Sequence, residues 1–109
     1  MRQTGAIDRG EAVYTSAVWN VKEDHEDEFK RRWQESVDAA SLEQPGIVFR
    51  LLRDVESPRR FTSNDGPWRG LDQISAMRNS SEFHASMASM EEHLDSYEIS
   101  TWELVAEVS

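Results

Sequence analysis

From Val13 the chain alternates with a period of two: Val13, Thr15, Ala17, Trp19 and Val21 fall on one face of an extended segment, Tyr14, Ser16, Val18 and Asn20 on the other. Both faces carry bulk, which predicts a central strand rather than an edge. The spacing then becomes helical. Phe29, Trp33 and Val37 stand at i, i+4 and i+8, and Ala40 extends the stripe. Glu23, Asp24, Glu26, Asp27 and Glu28 crowd the start of this segment, where the helix dipole favours negative charge. Lys30, Arg31 and Arg32 follow, so Glu26–Lys30, Asp27–Arg31 and Glu28–Arg32 are placed to pair at i, i+4. Pro45-Gly46 ends the helix, because the residue before a proline resists the helical region.

"GIVFRLLRD" returns to alternation, with Ile47, Phe49 and Leu51 opposite Val48, Arg50 and Leu52. "VESPRR" is a turn and "RFTSN" a third strand, so the two strands form a hairpin. Leu71, Ile74 and Met77 mark a short helix, and Ser80 caps another built on Phe83, Met87, Met90 and Leu94. The final apolar run, from about Tyr97 to Val108, changes phase. Tyr97 and Ile99 are odd, whereas Trp102, Leu104, Ala106 and Val108 are even, which predicts a bulge or bend near Thr101.

The order is therefore β-α-β-β-α-β, with the second helical region broken in two. It predicts an α+β, ferredoxin-like domain: one four-stranded antiparallel sheet with its helices on one face. The other face of such a sheet needs a cover. The apolar bulk on both sides of the first and last strands predicts a homodimer joined through sheet faces.

At 109 residues the chain is expected to form a single domain over residues 12–109, preceded by a flexible lead-in at residues 1–11. A net charge of −9 argues against nucleic acid as a partner. No apolar run approaches a membrane span or a signal-peptide core, so a soluble, cytoplasmic protein is expected. The absence of cysteine removes thiolate nucleophiles, disulfides and thiolate metal sites. His25, His84 and His93 are too scattered for a metal signature. His84 has the chemistry of a general base, but no relay partner follows it at helical spacing, and a packed or exposed histidine explains it as well.

The landmarks, taken in order, resemble the antibiotic biosynthesis monooxygenase family of dimeric α/β-barrel proteins. They are "AVWNV", "EDEFKRRW", "QPGIVFRLLRD", "SPRRFTSNDGPW" and "AMRNSSEFHASM". The last is similar to the family's Trp-x-x-Ser-x-x-Phe segment, with Met77 in place of the tryptophan. The haem-degrading subgroup has its functional residues at positions that are Ser16, Met77 and Met87 here, and none matches. The cofactor-free oxygenases of aromatic polyketides have an asparagine four positions before a third-strand tryptophan. Asn64 and Trp68 match that pair, while the subgroup's tyrosine and arginine fall at Ile74 and near Ala88.

The resemblance implies a monooxygenase without metal, flavin or haem, acting on a small aromatic molecule in a pocket between the first helix and the sheet. Asn64 and Trp68 are the residues expected to orient substrate there, lined by Phe29, Trp33, Phe49 and His84. Two other assignments stay open. Asn64 in "SNDGP" also reads as a turn asparagine, and Trp68 as a core plug, and the Asp-Gly-Pro break between them leaves open whether Asn64 faces the pocket. The alternative function is a non-catalytic, dimeric binding or stress-related protein of the same fold.

Overall fold

The computed structural model describes residues 12–109, and the lead-in expected over residues 1–11 lies outside the described residues. Four strands, β1 (Val13–Val21), β2 (Val48–Arg53), β3 (Arg60–Trp68) and β4 (Leu94–Glu103), form one antiparallel sheet in the order β2-β3-β1-β4. Three helices, α1 (Glu26–Glu43), α2 (Leu71–Arg78) and α3 (Ser81–Glu91), connect them. This is the ferredoxin-like α+β arrangement, with β1 central and β2 and β4 at the edges.

Each helix forms where its local chemistry places it. Glu26, Asp27 and Glu28 occupy the first turn of α1, and Phe29 and Trp33 are its buried residues. Its exposed side is laced by charge pairs, although not all of the expected ones. Glu28 pairs with Arg32 at 2.8 Å, while Arg31 turns to Glu28 and to Glu35 rather than to Asp27. Gly46, with φ +93°, takes the left-handed turn that leads from α1 into β2. The Ser80 side chain accepts a hydrogen bond from the Phe83 amide at 3.1 Å, the N-cap the sequence predicts for α3.

The apolar cluster under α1 and α3 contains Trp19, Phe29, Trp33, Phe61, Met87 and Met90; Val13, Trp68 and Ile74 form a second cluster. Phe49 packs against both.

The expected irregularity near Thr101 is absent, because pairing with β1 runs unshifted from Ser96 to Glu103. Instead, Tyr97 and Ile99 lie opposite Trp19 and Ala17 on the helix-covered face, and Trp102 lies opposite Tyr14 on the other. Two faces of one regular strand, not a bulge, account for the change of phase. The shift in this pair sits lower, between Asn20 and Val21, where Ser96 gives way to Leu94. β4 also ends at Glu103, five residues before the expected Val108.

Candidate functional site

The site is organised by an extra residue in β3. Val13 pairs with Trp68 and Thr15 with Asp65, so a two-residue step on β1 faces a three-residue step on β3. Gly66 and Pro67 take up the difference as a bulge. Gly66 has φ +155°, and a Cβ built there would lie 2.5 Å from the Tyr14 ring, so glycine is required on both counts. The bulge decides which side chains share a face. Without it Asn64 and Trp68, four apart, would point the same way. With it, Trp68 joins Phe61, Ser63 and Asp65 on the helix side, while Asn64 stays on the open face beside Ser16.

Between α1, α2, α3 and the sheet lies a cavity of about 280 Å³, with walls that include Trp33, Val37, Phe49, Trp68, Met77 and Phe83. Its floor on the sheet is polar: Thr15, Ser63 and Asp65. Two indoles fix that floor. Trp68 Nε1 donates to Thr15 Oγ1 at 3.0 Å, and Trp19 Nε1 donates to Ser63 Oγ at 3.0 Å. Phe49 meets Trp68 edge-on, with centroids 6.2 Å apart.

Asp65 is the unusual member. Burial pushes its carboxyl up to about 7, against the opposing pull of the Thr15 hydroxyl and the Arg50 backbone N–H. Its Oδ1 is buried and has no hydrogen-bond partner among the described residues. Arg78 also lines the cavity; its Nη1 donates to Thr101 Oγ1 at 3.0 Å, and its buried Nη2 has no partner among the described residues.

The structure brings Trp33, Phe49 and Trp68 to the cavity and leaves out three other expected residues. Asn64 is exposed on the far face of the sheet, displaced by the bulge. Phe29 is fully buried in the core and does not reach the cavity. His84 points outward from α3, its Nε2 3.1 Å from the Arg78 carbonyl oxygen. Trp68 keeps its place but not its donor, since the indole N–H is engaged by Thr15.

Of the cavity-floor residues, Thr15 and Ser63 are the ones that alternation could have revealed. Thr15 and Ser63 are polar interruptions on otherwise apolar strand faces, and Asp65 was hidden inside a turn-like Asp-Gly-Pro. Among the described residues no group of three metal-ligating side chains is found, and no helix is long and apolar enough to cross a membrane.

No protein-family model matches the chain, and no curated protein matches it. Solved structures do. A mutant of SnoaB, a cofactor-independent oxygenase from Streptomyces nogalater, is 16% identical with a TM-score of 0.78, covering 90% of this chain and 97% of its own. A candidate antibiotic biosynthesis monooxygenase from Caulobacter crescentus is 15% identical with a TM-score of 0.79, covering 96% of this chain and 100% of its own. A conserved protein from Methanosarcina mazei is 19% identical with a TM-score of 0.76, covering 90% and 97%. Over most of its length, the chain has the fold of antibiotic biosynthesis monooxygenase structures.

Proposed function

We propose that this protein is a cofactor-independent monooxygenase acting on a small, electron-rich hydroxyaromatic compound. The observation that carries the reading is the cavity of about 280 Å³ between helices and sheet: aromatic and aliphatic walls over a polar floor. A tricyclic arene is of the size such a pocket holds. The fold shared with a cofactor-independent oxygenase supports the same reading. In oxygenation of this kind the substrate itself supplies electrons to dioxygen once it is an anion. The protein's part is to bind the ring between flat side chains, exclude water and hold polar groups ready on one side. Trp33, Phe49 and Trp68 supply the flat walls, and Thr15, Ser63 and Asp65 the polar side.

The exposed Trp102, Val48 and Leu52 share the open face of the sheet with Asn64, which favours a homodimer formed through that face. Asn64 then belongs to the subunit contact rather than to catalysis.

A second reading is favoured by the two indole donors, both satisfied within the protein. A pocket whose indole donors are already engaged can bind an apolar ligand without transforming it. Oxygen uptake with an anthrone separates the two readings. Uptake that depends on the protein and weakens in Trp33→Ala supports the oxygenase. Anthrone binding with no uptake across a panel of hydroxyaromatics leaves only the binding module.

A further inference from the structure

We infer that Asp65 is a catalytic base: within the cavity, its carboxylate takes the acidic proton of the bound hydroxyarene or of its benzylic C–H. This deepens the proposed oxygenase and rests on it, since the same cavity must hold the substrate.

Three observations place Asp65 in this role. The Gly66–Pro67 bulge turns it to the helix side together with Trp68, so it stands on the polar floor under the aromatic walls. Its Oδ1 is buried and has no hydrogen-bond partner among the described residues, so the cost of burying the charged form is uncompensated there and favours taking up a proton. The nearby Thr15 hydroxyl and Arg50 amide favour the charged form, and Thr15 is itself held by Trp68. Burial also supplies a suitable basicity, because a carboxyl pushed up to about 7 is half ionised near neutral pH and a stronger base than an exposed one. The other charged groups lining the cavity are Glu43 on α1, Arg78 on α2 and Glu82 on α3; none lies on the sheet floor.

The chemistry balances for an anthrone. Asp65 removes one hydrogen of the CH₂ group as a proton, and the carbanion left behind adds dioxygen. The peroxide anion recovers that proton from Asp65. Cleavage of the O–O bond, with loss of the second carbon-bound hydrogen, releases water and leaves a carbonyl. Overall, CH₂ and O₂ become C=O and H₂O: the carbon is oxidised and dioxygen is reduced, with no external reductant.

The test separates proton transfer from oxygenation. Anthrone is incubated anaerobically with the protein in D₂O, and incorporation of deuterium at the CH₂ carbon is followed by NMR. The wild type should accelerate exchange, with a rate that rises through one ionisation near neutral pH and then levels off. Uncatalysed exchange would continue to climb with hydroxide. Asp65→Asn should lose about 10²- to 10⁴-fold in protein-dependent exchange. It should still bind anthraquinone within about threefold of the wild type, as judged by tryptophan quenching. Should Asp65→Asn fail to fold, the pH profile of the wild type decides alone.

No protein-dependent exchange by the wild type, or unchanged exchange in a variant that binds anthraquinone, overturns the assignment of Asp65. Exchange without aerobic oxygen uptake keeps Asp65 as a base and overturns the oxygenase. Uptake that is undiminished in Asp65→Asn does the reverse.

Discussion

Asp65→Asn should gain stability over the wild type progressively as pH rises from mild acid to alkaline. The reasoning is one of linkage. Burial raises the carboxyl from its ordinary 3.8 to about 7 in the folded protein. Between those values the folded chain holds a proton that the unfolded chain has released, so stability falls as pH rises. The contribution is fully present below the unfolded value and is lost once pH passes the folded one.

At ~1.4 kcal/mol per unit, the whole interval has a ceiling of ~4 kcal/mol, and the part between about pH 5 and about pH 8 a ceiling of ~3 kcal/mol. Asp65 is only partly buried, so screening by solvent brings the expected effect down to roughly 1–2 kcal/mol. Asparagine has the shape of the protonated acid and does not titrate. The lead of the variant over the wild type should therefore be larger by that amount at about pH 8 than at about pH 5. Urea unfolding at the two pH values reads this as a relative shift of roughly 1 M in midpoint, given the slope usual for small domains. Equal differences between wild type and variant at both pH values would refute the argument. So would a variant that loses ground as pH rises.

Gly66→Ala should lower stability by about 1–3 kcal/mol in thermal or urea unfolding, because its methyl would meet the Tyr14 ring at 2.5 Å and its φ of +155° disfavours any side chain. Combining it with Tyr14→Ala should recover part of that loss, and an additive double variant would show that the ring is not the obstacle. Phe29→Ala, in the fully buried heart of the larger cluster, should cost about 3–5 kcal/mol yet leave ligand affinity largely intact in the protein that remains folded. Trp102→Asp should shift sedimentation from dimer to monomer, because that ring is 57% exposed on the open face of the sheet. A wild type that sediments as a monomer at every concentration would remove the dimer.

The fold was largely legible because its signals are periodic and redundant. Five alternating positions from Val13 to Val21 were enough to make β1 central, and Phe29-Trp33-Val37 fixed the buried stripe of α1. Two features were not. The change of phase in β4 has the same signature whether a bulge intervenes or each face carries its own apolar residues; only the partner strand distinguishes them, and Tyr14 opposite Trp102 settles it. In β3 the register across the Asp-Gly-Pro break was the open question. Asn64 and Trp68 look like neighbours on one face because their spacing is even, yet the bulge lies between them. Asp65 and Trp68, which do share the cavity, stand three apart, an odd spacing that no period-two reading would join.

That inserted residue gives the cavity a property the fold alone does not provide. It exchanges an amide, neutral at every accessible pH, for a carboxyl whose basicity depends on how dry it is. An aspartate at its ordinary 3.8 is a poor base for a phenol or a benzylic C–H; pushed up to about 7, it is stronger by about three units. On a Brønsted slope near one half, that is worth roughly thirtyfold in the rate of proton removal. The same displacement that would strengthen the base weakens the folded protein at neutral pH, since both express the free energy of holding a carboxylate in the cavity. The two measurements must therefore move together across substitutions around Asp65. Thr15→Val removes a hydroxyl that holds the charged form and should push the carboxyl higher still. It should then move the ionisation seen in anaerobic exchange to higher pH, and widen the stability gap to a matched Thr15→Val/Asp65→Asn variant at about pH 8. A shift in one without the other would break the connection between this cavity's electrostatics and its chemistry.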